Sequence, residues 1–254
     1  MPQATRVVPV PLLAFAVMVG VSLFSMSVYA LRGARPDRDA QGKGAHFFGG
    51  AGDFILHWFL WAMAPFVSVS LRLGLGPTFY NYAGLSLGLA AGALLALGRL
   101  EWAGWAIILG GLADVLDGRI ARLTGVASDY GDFIDSTFDR FVEAFIFLGF
   151  ALRFRSSPYG AVLAASALAG SFLVSYARAR GEVLGVVCSG GLMQRGERLF
   201  IVCLACFLDR LVCARAGWPI GSLAQAMLLF VTATSFVTAV HRTAWIAQRL
   251  RKGN

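Results

Sequence analysis

The feature that most constrains this chain is the length of its apolar runs. Val7–Ala30, Thr78–Gly98 and Tyr159–Ala179 each hold at least twenty residues with almost no charge. A helix needs about 20 apolar residues to cross the hydrocarbon core of a bilayer. Composition agrees: 57% of the 254 residues are hydrophobic and 14% are charged, where a soluble domain carries about 25% charge to keep its surface wet. The fold class expected is an all-α polytopic membrane protein.

Two segments precede the main body. Only Arg6 comes before the first apolar block, that block exceeds a secretory h-region, and Arg32 and Arg35 follow it. These features favour a retained transmembrane helix over a cleaved signal. Arg32 to His46 reads as a polar linker. Asp53 to Leu73 mixes Trp58, Trp61 and Phe66 with His57, Pro65 and Arg72, a composition suited to the headgroup zone. Six spans then follow at about Thr78–Gly98, Trp102–Leu123, Tyr130–Leu152, Tyr159–Ala179, Leu199–Val212 with its flanks, and Ile220–His241. The expected organisation is therefore an extra N-terminal transmembrane helix and linker over 1–46. The membrane domain over 47–254 is a six-helix transmembrane core preceded by an interfacial helix.

The net charge of +8 is spread through short loops. That pattern is explained by the positive-inside rule and attraction to anionic lipid heads, and it excludes nucleic acid as the partner. With the loop after Leu123 and the tail on the cytoplasmic side, Arg6, Arg99, Arg153, Arg155, Arg210 and Arg215 fall outside, against fifteen cations inside, with Arg140 within a span; this places the aspartate run at the cytoplasmic face. Cys188, Cys203, Cys206 and Cys213 form no disulfide framework. The Cys203–Cys206 pair lies in an apolar stretch and reads as packing.

The chemistry-bearing stretch is DVLDGRIARLTGVASDYGDFIDSTFDR, from Asp114 to Arg140. Asp114 and Asp117 are three apart at the end of one apolar helix. Asp135 and Asp139 are four apart near the start of the next. Each pair shares a helix face, and the short loop makes the two helices antiparallel neighbours. Four carboxylates can then meet in one cavity, where ionisable groups are costly and functional. Their mutual repulsion is relieved by divalent cations, and all-oxygen ligation selects Mg²⁺, Mn²⁺ or Ca²⁺. The alternative is a salt-bridged network with Arg119, Arg122 and Arg140. Gly118 lets a ligand approach the backbone, Ala121 leaves space one turn on, and Arg122 can reach a phosphate. A side chain at Gly131 would crowd the facing helix.

These residues keep every spacing of the signature D-x-x-D-G-x-x-A-R, eight residues, G-x-x-x-D-x-x-x-D. The chain thus resembles the CDP-alcohol phosphatidyltransferases, and the likeness extends over the six spans and the helix before them. The resemblance implies two divalent cations, Mg²⁺ or Mn²⁺. Asp114, Asp117 and Asp135 would ligate metal, and Asp139 would complete the second site and act as general base. Gly118, Ala121, Arg122 and Gly131 would surround the nucleotide of a CDP-linked lipid donor. It implies a homodimer, and the charge bias sets the active site at the cytoplasmic face of a bacterial or archaeal cytoplasmic membrane.

The acceptor is read from SYARARGEVLG and GLMQRGER. Arg178 and Arg180 are two apart, and Arg195 and Arg198 are one turn apart. Positive-inside charge is one account of them. The other is an anion site, since these segments and Asp135–Arg140 resemble the phosphatidylinositol phosphate synthase branch. Arg178, Arg195 and Arg198 would then hold the phosphate of inositol 1-phosphate. Glycerol 3-phosphate would suit the same arginines, while serine and choline would not need them. A membrane prenyltransferase would carry a second acidic motif elsewhere in the chain. A cation transporter would show related halves, and no internal repeat is present.

Overall fold

A computed structural model describes residues 9–32, 50–188 and 190–253. Among them the chain is all helical: α1 Val10–Leu31, α2 Gly50–Arg72, α3 Pro77–Ala96, α4 Leu100–Thr124, α5 Asp129–Arg153, α6 Pro158–Val183, α7 Arg195–Ala216 and α8 Ser222–Arg251. Five of the eight, α1, α2, α3, α6 and α8, are long and apolar enough to cross a membrane. In lipid a helix satisfies its own backbone polar groups, which is why apolar runs of this length adopt it. The chain is an integral membrane protein.

Helix ends follow local sequence. Ser128 caps α5 by accepting the Gly131 amide at 3.2 Å, and Ser157 caps α6 by accepting the Gly160 amide at 3.3 Å. The Glu197 carboxylate accepts the Gln194 amide at 2.8 Å and holds the first turn of α7, which ends on left-handed Gly217. The start of α8 has no side-chain cap of its own. Asp209 of α7, 1% exposed, supplies one from a distance, accepting the amides of Gly221 at 2.8 Å and Ala224 at 3.0 Å.

The chain divides into two compact units. Met1–Tyr80 with Val115–Ala127 forms the first. Here α1 rests on α2 through Tyr29, whose ring is 5.7 Å from Phe54 and 5.5 Å from Trp61, and Trp58 donates to Ser25 Oγ at 3.0 Å. Val67, Leu116 and Ile120 pack with Tyr80. The second unit is Asn81–Asp114 with Ser128–Asn254. Its helices meet backbone to backbone: a Cβ on Gly92 of α3 would strike the Phe145 carbonyl, and one on Gly149 of α5 would strike Gly92 itself. Small residues allow this approach where lipid offers no hydrophobic drive between helices. The contact fixes how far α5 lies from α3.

Two sequence expectations sharpen. α2, expected at the interface, is also long and apolar enough to cross. Conversely α4, α5 and α7, expected as spans, fall outside the five because their charges interrupt the apolar windows. The 46/47 boundary and the linker residues Arg35, Arg38 and Lys43 lie outside the described residues. The four cysteines are free and buried, as packing residues should be.

Candidate active site

The loop after α4 begins at Gly125, whose φ of 69° is a left-handed conformation that favours glycine. Ser128 then starts α5, so the acidic ends of α4 and α5 are adjacent in sequence. In the second unit, oxygens of Asp114 from α4 and of Asp135 and Asp139 from α5 all lie within 4.8 Å of one another. Three like charges at that separation cost roughly 3–4 kcal/mol per pair at an effective dielectric near 20. The half-buried, all-oxygen donor set fits a hard divalent cation.

Arg195, the first residue of α7, joins this cluster. Its Nη1 donates to Asp114 Oδ1 at 3.0 Å and its Nη2 lies 2.6 Å from Asp139 Oδ1. One planar guanidinium thus spans carboxylates from two helices, a fork that lysine cannot reproduce. Its Nε is buried without a hydrogen-bond partner.

The other two expected acceptor arginines are placed differently. Arg178 is exposed near the end of α6 and pairs with Glu182 at 2.8 Å. Arg198 is 1% exposed. Its Nε and Nη2 donate to Glu143 Oε1 at 3.0 and 2.6 Å, and its Nη1 donates to the Met193 carbonyl at 3.2 Å. The three arginines thus have three separate sets of partners.

Of the remaining signature residues, Asp117, Gly118, Ala121 and Arg122 are in the first unit. Asp117 is buried and its carboxylate accepts the Gly118 amide. A Cβ on Gly118 would meet only the flexible end of Arg122, at 3.3 Å. Arg119, one of the arginines of the alternative salt-bridged network, is buried and donates to the Leu60 carbonyl. Gly131, in the second unit, corrects an expectation. A Cβ there would meet Ser128 Oγ at 3.5 Å, an ordinary contact, so within its unit no crowding arises. What Gly131 contributes is the amide that Ser128 accepts.

Sequence reasoning passed over Glu143, which is fully buried at the level of one turn beyond Asp139. A lone acid inside FVEAFIFLGF was the available signal, since a charge there must find a partner.

Known proteins resemble this chain over more than 70% of its length. Residues 77–247 match the model of the CDP-alcohol phosphatidyltransferase family. The chain is 36% identical over 196 residues to phosphatidylinositol phosphate synthase of Streptomyces avermitilis, covering 74% of this chain and 79% of that protein. It is 30% identical over 181 residues to archaetidylinositol phosphate synthase of Methanothermobacter thermautotrophicus, covering 71% and 87%. Mycobacterium tuberculosis phosphatidylinositol phosphate synthase with CDP-DAG bound superposes with a TM-score of 0.63 at 27% identity, over 72% of this chain and 92% of that one. The same enzyme in complex with manganese and citrate gives 0.64 at 26% identity, over 72% and 88%. With the signature, the acidic cluster and the helical core in agreement, the chain belongs to the CDP-alcohol phosphatidyltransferase family and is a membrane transferase of that kind.

Proposed function

We propose that the enzyme transfers the phosphatidyl group of CDP-diacylglycerol to inositol 1-phosphate and releases CMP, at the cytoplasmic face of the membrane. The observation that carries this reading is Arg195, a guanidinium with an unpaired buried Nε set directly against Asp114 and Asp139. Serine or choline would not call for such a group. A phosphorylated alcohol would, and the similar proteins named above are inositol phosphate lipid synthases.

Asp114, Asp135 and Asp139 would hold the metal, and Asp117 joins them in this proposal on the signature spacing. Bound divalent cations, two in this reading, would neutralise the donor diphosphate and the charge gathering on the departing CMP oxygen. Asp139 takes the proton of the acceptor hydroxyl as that oxygen bonds to the lipid-side phosphorus and the bond to CMP breaks. Arg195 orients the acceptor phosphate, with Arg178 drawing it in from the α6 end. Arg198 acts from behind, through its contact with the Met193 carbonyl. Gly118, Ala121 and Gly131 leave room for the nucleotide, and Arg122 contacts it and reaches a phosphate. Assembly as a homodimer belongs to the same proposal and is read by sizing in detergent.

The test is an acceptor panel with purified enzyme, CDP-diacylglycerol and Mn²⁺ or Mg²⁺. It compares inositol 1-phosphate, free inositol, glycerol 3-phosphate and serine by CMP release. Inositol 1-phosphate should give the highest kcat/KM, and Arg195→Ala should raise its KM about tenfold or more. Preference for glycerol 3-phosphate would replace the acceptor. Equal use of free inositol would remove the role of Arg195.

A further inference from the structure

Arg195 can meet an acceptor only if the start of α7 is held in register with α5, and the structure assigns that task to one residue: we propose that Glu143 is a positioning residue for acceptor binding. The inference rests on the reading that a phosphorylated acceptor is held by Arg195.

Glu143 lies four residues after Asp139, so the two share a face of α5 one turn apart. It is 0% exposed, and its Oε1 accepts both Nε and Nη2 of Arg198. Arg198 is one turn beyond Arg195 on α7. Its remaining nitrogen, Nη1, donates to the carbonyl of Met193, two residues before Arg195. A single buried carboxylate therefore fixes the height and rotation of the first turn of α7 against the helix that carries Asp135 and Asp139. The preceding segment is pinned from α8: Thr238 Oγ1 accepts the Met193 amide at 3.1 Å, and Arg242 Nε donates to the Gly190 carbonyl at 2.8 Å. The segment also has Gly185 and Gly191 at positive φ, so the backbone alone does not set where Arg195 stands.

Stability is a weak reason for keeping such a pair, because desolvation offsets much of the attraction between buried charges. Fixing register is the better-attested use. All three guanidinium nitrogens of Arg198 are engaged, whereas Arg195 keeps a free Nε. Glu143 thus acts on the acceptor through Arg198 and Arg195, without touching it.

Glu143→Gln and Glu143→Asp enzymes are purified in detergent, and sizing and thermal melting confirm their fold. Each is assayed for KM of acceptor, KM of CDP-diacylglycerol and kcat. In Glu143→Gln the acceptor KM should rise about tenfold while the donor KM stays within about twofold. Glu143→Asp keeps the charge but shortens its reach, and it should fall between this and the wild type. An acceptor KM unchanged in both folded variants, or donor and acceptor KM rising together, overturns the proposal. Should Glu143→Gln fail to fold, Glu143→Asp decides alone by the same split. A wild type that prefers another phosphorylated acceptor overturns the acceptor identity only, and Glu143 is then tested on that acceptor. A wild type that takes only uncharged alcohols overturns both.

Discussion

Asp139 is the residue on which most of the chemistry converges. It shares the acidic cluster with Asp114 and Asp135 and receives Nη2 of Arg195 at 2.6 Å. Asp139→Asn keeps the shape and removes both the proton acceptor and one charge from the cation site. Transfer should fall by about 10²–10⁴-fold, the range for losing a positioned general base. The folded variant should also need more Mn²⁺ to reach half-maximal binding by electron paramagnetic resonance. Undiminished CMP release would remove Asp139 from the mechanism. This residue was legible in the sequence because eight positions at fixed spacing place four acids on two adjacent helices. Glu143 was not. Its partner Arg198 is 55 residues away, and helical periodicity carries no information about pairing at that range. For the same reason Arg198 read as a free ligand: exposure of an arginine is set by tertiary packing and not by its neighbours in the chain.

At the scale of helices, the close approach of α3 and α5 holds Asp135 and Asp139 in place, and it depends on the absence of side chains. The Cβ of Gly92→Ala would meet backbone at Phe145, which cannot yield as a flexible side chain can. Overpacking of a tight contact costs about 1–3 kcal/mol or more, so Gly92→Ala should lower the thermal midpoint and the fraction of folded enzyme in detergent. Gly111, on α4, has nothing within 4 Å of the same added atom. Gly111→Ala should be neutral or stabilising by up to about 1 kcal/mol, the ordinary gain of alanine over glycine within a helix. Equal melting behaviour of the two variants would refute the packing account. Most helices were readable to within a few residues, α5 as Tyr130–Leu152 against Asp129–Arg153, but the last was read as ending at His241 and α8 runs on to Arg251 through the basic stretch. α7 was read short at its start, because the capping box at Gln194 and Glu197 precedes the apolar run and hydropathy alone does not detect it.

For the whole molecule the open quantity is orientation, and the charge bias commits to one answer. The loop between α4 and α5 and the tail after α8 should lie in the cytoplasm, with the α5–α6 connection outside. The native cysteines are buried, so single cysteines introduced at exposed Val126, Ser156 and Lys252 report cleanly on side. An impermeant maleimide added to intact cells should label Ser156→Cys, while Val126→Cys and Lys252→Cys should react only after permeabilisation. The reverse pattern would move the acidic cluster to the outer face and deny it CMP release into the cytoplasm. The same reagent decides between the two placements of α2. If α2 lies along the interface, α1 crosses alone and Val10→Cys labels from outside. If α2 crosses as its length permits, Val10 is returned to the cytoplasmic side and stays unlabelled. Trp58, Trp61 and Phe66 favour the headgroup zone, and Pro65 inside α2 leaves the Trp61 carbonyl without the amide donor that an apolar span needs. Labelling of Val10→Cys from outside is therefore the expected result.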